Sequence, residues 1–163
     1  MHEYRSEAVV LDAVPAGESD TRFFLYTKRF GRIVARAKSA RKITSKLTPH
    51  LQVGDVADVR VVEKNGLRVA DALKIRRLSH GPGDLSALNR LLHDAERDDG
   101  LWSVLRDAAY NWRAVLTLLG WDPERAVCAR CRKAGTAFLI GTQEFVCATH
   151  ASKLPPGTVV SIG

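Results

Sequence analysis

The stretch TRFFLYTKRFGRIVARAKSARKITSK, residues 21–46, decides the fold and shows where function is to be sought. Its first seven residues are β-branched, aromatic or aliphatic apart from Arg22, as a strand prefers. Phe30-Gly31 then gives a hairpin signal. Across residues 32–38, Ile33, Ala35 and Ala37 alternate with Arg32, Val34, Arg36 and Lys38. Period two places the apolar set on one face of a sheet and most of the basic set on the other. Residues 39–46 lack any periodicity and read as a polar, basic loop. From Lys28 to Lys46 the chain carries eight basic residues (Lys28, Arg29, Arg32, Arg36, Lys38, Arg41, Lys42 and Lys46) and no acid. Like charges at this density repel unless solvent or a polyanion screens them. Their placement along one strand face and its loop favours a phosphate-backbone contact surface over a merely solvated face.

Outward from this stretch, the pattern stays that of a small β-barrel. Val9, Val10, Leu11, Ala13 and Val14 form an apolar run ended by Pro15-Ala16-Gly17, and Glu18-Ser19-Asp20 follows as a turn. Residues 56–62 give a fourth strand. Asn65-Gly66 is the strongest hairpin signal in the chain and leads into a fifth strand over residues 67–73. Five short strands with regular turns and no long helix predict an antiparallel barrel over residues 1–80. An OB-like barrel is the common nucleic-acid-binding version, and an SH3-like barrel has the same spacing. Tyr4, Phe23, Phe24, Tyr26 and Phe30 are candidate stacking partners for bases. One of Phe23 and Phe24 must face the core, which leaves Tyr26 or the outward Phe as a platform.

Charge supports this division. The net charge is +7; residues 1–80 hold sixteen Lys/Arg against nine Asp/Glu, and residues 81–163 hold nine of each. The whole basic excess lies in the predicted barrel, as expected if that half meets nucleic acid. A basic membrane-surface protein would show an amphipathic basic helix instead. The longest apolar runs fall well short of the roughly 20 residues a bilayer span needs, and the charged N-terminus lacks a signal peptide's apolar core. Three cysteines, all in one motif, fit a reducing, cytoplasmic setting.

His80-Gly81-Pro82-Gly83 marks the expected domain boundary, with residues 81–163 as the second part. Asp84 is the expected N-cap of a helix whose face carries Leu85, Leu88, Leu91, Leu92 and Ala95. After Asp98-Asp99-Gly100, a second helix is predicted over residues 101–119, burying Leu101, Leu105, Ala108, Trp112, Val115, Leu116 and Leu119. Gly120 is its expected cap, and Asp122-Pro123 a stop. Trp102, Trp112 and Trp121 read as core anchors. The helical region thus covers residues 84–120.

Within residues 126–152, Cys128 and Cys131 are followed, after fifteen intervening residues, by Cys147 and His150. Two such pairs around a β-like segment form a zinc-ribbon or zinc-knuckle pattern. Four protein ligands leave no open vertex, so the expected Zn2+ is structural. No Ser-His-Asp constellation, phosphate-binding Gly-rich loop or carboxylate pair is recognisable, so no catalytic residues are assigned and the chain does not read as an enzyme. The fold class is α+β: barrel, short helical region and C-terminal zinc-ribbon-like module.

The combination resembles the bacterial RecO family of recombination mediators. The resemblance rests on Glu7–Leu11, Gly17-Glu18-Ser19-Asp20, Leu25-Tyr26-Thr27, Gly31, Ala37-Lys38-Ser39-Ala40-Arg41-Lys42, Ser45-Lys46-Leu47 and Leu51-Gln52, then Leu118-Leu119-Gly120-Trp121 before the cysteines. It covers nearly the whole chain in order. It implies an N-terminal OB-fold that binds single- and double-stranded DNA and anneals complementary strands, including strands coated by single-strand-binding protein. It also implies work with RecR to load RecA in recombinational repair, in the bacterial cytoplasm at the nucleoid. Family members usually carry more helices after the zinc module, so the chain reads as a short, minimal member. Arg36, Lys38, Arg41, Lys42 and Lys46 inherit the DNA-contact role. Two other readings share the charge pattern: a protein-docking adapter of a repair complex, and an RNA-binding OB-fold/zinc-ribbon protein.

Overall fold

The computed structural model describes residues 1–93, 96–107 and 111–163. The chain folds as two compact units, residues 1–109 and 110–163. The expected boundary at Gly81 falls inside the first of these units. The first helix after it packs on the barrel and belongs to the first unit, and the predicted helical region is split between the units.

Five strands build the barrel: β1 (His2–Ala16), β2 (Asp20–Thr27), β3 (Gly31–Ala37), β4 (Asp55–Glu63) and β5 (Leu67–Arg77). They close in the order β1-β2-β3-β5-β4. The 15-residue β1 does double duty. Its first half pairs with β4 (His2↔Glu63 to Val9↔Val56) and its second half with β2 (Ala8↔Thr27 to Ala16↔Asp20). A register shift between Val10 and Asp12 lets the strand bend from one sheet face to the next. That arrangement is an OB-fold, the α+β architecture expected. Asn65 and Gly66 at the β4–β5 connection have φ of +52° and +100°, a left-handed pair that Asn and Gly tolerate best.

The barrel interior is filled by the alternating set read from the sequence. Ala8, Val10, Phe23, Leu25, Ala35, Ala37, Val59, Val61 and Val69 are all buried in one cluster. Burying each Val, Leu or Phe contributes about 1.5–3 kcal/mol, so this cluster is the unit's main source of stability. Phe23 is the inward member of its pair, as the strand period requires. Asp55 is fully buried at the start of β4, where it accepts from the Gln52 N–H at 3.0 Å and pairs with Arg77 (3.2 Å) and Lys74 (3.4 Å).

The N-cap of helix α1 (Pro82–Leu91) is Gly81, not Asp84. Pro82 occupies the first helical position, where its missing N–H costs nothing, and Asp84 lies in the first turn beside the helix N-terminus. Leu85, Leu88 and Leu92 are buried as predicted; Ala95 lies outside the described residues. The predicted second helix is two. In α2 (Asp99–Arg106) Asp98 caps by accepting from Leu101 N–H, and Asp107 turns extended at ψ 146°. In α3 (Trp112–Leu118) Asn111 caps by accepting from Ala114 N–H. Ala108 lies outside the described residues. A capping Asn inside the apolar periodicity is the physical reason that one helix does not run through.

In the second unit, α3 ends at Leu118 with Leu119 as its C-cap, and Gly120 has φ +102°. Gly120 N–H donates to Thr117 O and Trp121 N–H to Leu116 O, the paired bonds of a Schellman cap. Strands β6 (Ala137–Leu139), β7 (Glu144–Val146) and β8 (Val159–Ser161) form a three-stranded sheet with β6 central. Trp102 and Trp112 are buried, as expected of core anchors. Trp121 packs edge-on against Phe138, 5.1 Å between centroids.

Candidate nucleic-acid interface and metal centre

Strand register brings together residues that the sequence keeps apart. Arg22 on β2 lies directly opposite Arg36 on β3, and Arg36 opposite Arg68 on β5. All three are exposed on the outer barrel face, and Lys38, just past the end of β3, joins them beside Asp20. Like charges directly opposite each other in a sheet destabilise it, by up to about 1 kcal/mol per pair. One acid offsets part of this. Asp20 Oδ2 accepts from Arg36 Nε at 2.8 Å, and Asp20 Oδ1 from the Ser39 N–H at 2.7 Å. The Ser39 N–H holds the Asp20 carboxyl below its usual range, against the opposing effect of burial, with the Arg36 guanidinium adding to it.

The Gly17-Glu18-Ser19-Asp20 turn and the Ala37–Lys42 segment, quoted above as separate motifs, are thus bonded to each other. Arg41 completes the brace: its N–H donates to Ser19 O at 2.9 Å and its guanidinium to Gly17 O. Lys42 and Lys46 are exposed on the same loop. The remaining predicted DNA-binding residues lie elsewhere. Arg32 is turned onto α1, donating to Asn89 Oδ1 and His93 O, each at 2.9 Å, and it covers the Phe24 ring at 5.2 Å. Lys28 and Arg29 occupy the β2–β3 turn, where Arg29 donates to Arg5 O and stacks over Phe30 at 5.0 Å.

Sequence reasoning missed Arg22 and Arg68. Both sit at outward positions of an alternating strand, which is a signal that exists but cannot say what lies opposite. Among the stacking candidates, Tyr26 is corrected to a structural role. It is buried, its hydroxyl donates to Glu96 O and accepts from Asp98 N–H, and burial pushes its pKa up. The outward Phe24 is the ring under Arg32. Phe30, which is 38 % exposed, and Tyr4 are left as accessible aromatic rings of that group.

The cysteines and histidine converge in the second unit. Cys128 and Cys131 lie on a tight turn whose ends pair Val127 with Ala134, with Cys128 N–H donating to Lys133 O and Arg132 N–H to Cys128 O. Cys147 follows β7 as the N-cap of the short helix α4 (Ala148–Ala151), and His150 lies one turn into it. The four donor atoms lie within 4.8 Å of one another. His150 Nδ1 is 3.4 Å from Cys128 Sγ and 3.3 Å from Cys147 Sγ, and Cys131 Sγ is 3.7 Å from Cys147 Sγ. Burial opposes ionisation of Cys128, but the N–H groups of Arg130, Cys147 and Cys131 and the His150 imidazole outweigh it, lowering its pKa to about 6. A partly ionised thiol facing two further thiols and an imidazole can hold a metal ion.

Among known proteins, residues 1–78, the barrel, match the family described as Recombination protein O N terminal. The barrel is thus a RecO-type N-terminal domain. It is similar to the DNA repair protein RecO of Dehalococcoides mccartyi, 38 % identical over 81 % of this chain and 62 % of that protein. It is also similar to the DNA repair protein RecO of Frankia casuarinae, 39 % identical over 36 % of this chain and 24 % of that protein. The chain thus spans less than two thirds of the length of these RecO relatives. Among the described residues, no helix is long and apolar enough to cross a membrane.

Proposed function

We propose that this chain is a non-enzymatic DNA repair mediator that binds and anneals single-stranded DNA through the outer face of its barrel. The observation that carries this reading is the arginine row across β2, β3 and β5, with Lys38 beside it and Lys42 and Lys46 on the neighbouring loop. A row of like charges is costly alone and becomes favourable when phosphates lie on it and counterions are released. Neutralising two strands at once reduces their mutual repulsion, so complementary bases pair without any covalent step. Of the residues first read as DNA ligands, Arg36, Lys38, Lys42 and Lys46 take that role, with Arg22 and Arg68 added. Arg41 holds the loop in place while remaining at the surface. Arg32 serves the barrel–α1 contact, and Lys28 and Arg29 act at the barrel's other end.

The partners proposed are single- and double-stranded DNA, a RecR-like protein, and through it RecA and strands coated by single-strand-binding protein. The 1–80 and 81–163 division of labour is proposed in modified form. The DNA-binding unit extends through α1 and α2, and residues 110–163 form the second module.

The metal proposed at Cys128, Cys131, Cys147 and His150 is zinc in a structural role. For sulfur and imidazole ligands at about 2.3 and 2.0 Å, a tetrahedral site has S···S edges of about 3.8 Å and S···N edges of about 3.5 Å. The separations of 3.7, 3.4 and 3.3 Å lie close to these. With all four positions filled by the protein, the ion would tie the turn, the β6–β7 hairpin and α4 together and would leave no vertex for water.

The reading is tested by annealing complementary single strands, bare and coated with single-strand-binding protein, across a salt titration. Acceleration of both reactions, fading as salt rises, is the expected result. Binding without annealing would replace the mediator with a docking adapter, and tighter binding to RNA than to DNA would move the protein to RNA.

A further inference from the structure

The barrel closes unevenly. Strands β3 and β5 are paired at a single register position, Arg36↔Arg68, and beyond it towards the β2–β3 turn no ladder covers the interior. A cavity of about 210 Å³ opens at this end of the barrel. Ile33, Val59 and Leu67 line its apolar part, and Tyr4, Phe30 and Glu63 line it as well. The Tyr4 and Phe30 rings meet edge-to-face, 5.4 Å between centroids, and Arg29 lies over Phe30. The Tyr4 hydroxyl donates to Glu63 Oε2 at 3.1 Å, a bond that raises the phenol's pKa and leaves Glu63 Oε1 without a bond from Tyr4.

We propose that this cavity takes one unpaired nucleobase from the strand bound on the arginine row. The inference rests on the DNA-binding reading above and adds a base site to a phosphate site. Three features select a base over other occupants. Its volume is more than ten times the roughly 10–15 Å³ needed to hold one water and leaves room for a flat heteroaromatic ring. Its walls combine exposed aromatic rings with apolar side chains, on which bases stack without sequence preference. Its polar group is a carboxylate, which repels phosphate but accepts from the N–H groups on base edges, such as the cytosine amine. The cavity is also continuous with the proposed phosphate path: Leu67 lines it, and Arg68, the next residue, points outward into the arginine row. A strand could therefore place a phosphate on Arg68 while its base turns inward past Leu67, with Arg29 available to a neighbouring phosphate.

A duplex keeps its bases stacked and paired, so only single strands would use the cavity. The site thereby gives the protein a reason to prefer unpaired DNA, which the arginine row alone does not supply.

The test uses the full chain and three probes: a single-stranded deoxycytidine oligonucleotide, an abasic strand of the same length, and a duplex. The wild-type protein is expected to bind the deoxycytidine strand about tenfold more tightly than the abasic strand. Phe30→Ala should remove most of that difference while leaving abasic and duplex affinity unchanged. Phe30 is partly exposed, so its truncation spares the core; Leu67→Trp, which fills the cavity, should act in the same direction. Equal wild-type affinity for the deoxycytidine and abasic strands would overturn the base site and leave the phosphate reading standing. So would equal losses on all three probes in Phe30→Ala, which would assign the effect to Arg29 and phosphate. Failure of the wild-type protein to bind any probe would overturn both.

Discussion

Replacing Arg22, Arg36 and Arg68 together with alanine weakens binding to single-stranded DNA on the order of 100-fold at moderate salt. Each single-strand phosphate left without its cation flattens the plot of log affinity against log salt by about 0.7, so three such phosphates flatten it by about 2. The weakening should be similar for every sequence, because phosphates carry none. Arg36 also pairs with Asp20, so its removal takes away a brace as well as a phosphate ligand. The Arg22→Ala/Arg68→Ala pair, which leaves Asp20 and Arg36 bonded, separates the two effects: about two thirds of the slope change should remain, while thermal stability holds or rises slightly as the like-charge repulsion is relieved. Wild-type affinity and slope in the triple variant would remove this face from the interface.

Removal of the proposed zinc is expected to produce the other large effect, on stability. The buried cluster around the metal centre consists of Cys128, Ala137, Val146 and Cys147, with Ala151 and Val159 against it. Two of its four buried members, Cys128 and Cys147, are proposed metal ligands, and Ala137 is small. This cluster is slight; Trp112, Leu116, Phe138 and Ile162 are buried elsewhere in the unit, but units of this size usually need a metal or disulfides as well. Structural zinc supplies about 10–16 kcal/mol of apparent binding energy in comparable small modules. A strong chelator should therefore release one zinc per chain and unfold residues 110–163, while the barrel, with its own core, keeps its β-sheet signal. Cys128→Ser should reproduce this and lower the zinc content to well below one per chain. Full thermal stability in Cys128→Ser, or metal-free protein with the second unit intact, would contradict the assignment.

Much of this was legible in the sequence because the relevant signals are local. Alternation in residues 32–38 placed Ala35 and Ala37 inside and Arg36 outside from spacing alone. Asn65-Gly66 marked a real turn because its left-handed backbone demands those residues. The cysteine pairs announced their cluster through ligand spacing. What was not legible depends on register and on competition. Nothing in the residues around Arg22 or Arg68 says that they meet Arg36, since cross-strand partners are set by the closed barrel. Arg32 has the alternation of a surface ligand, yet Asn89 and the His93 carbonyl claim its guanidinium. The apolar stripe from Leu101 to Leu119 is sound on both sides, but Asn111 uses its side chain to start a new helix within it.

The central claim is that the strand lies on the β2-β3-β5 face, and arginine footprinting tests it most directly. The intact protein would be treated with phenylglyoxal with and without saturating single-stranded DNA, and modification at each arginine read by mass spectrometry. Protection of Arg22 and Arg68, with Arg125, Arg130 and Arg132 of the second unit modified equally in both samples, is the predicted result. Unchanged modification of Arg22 and Arg68 under saturating DNA, or protection confined to the second unit, would place the strand elsewhere and contradict the account.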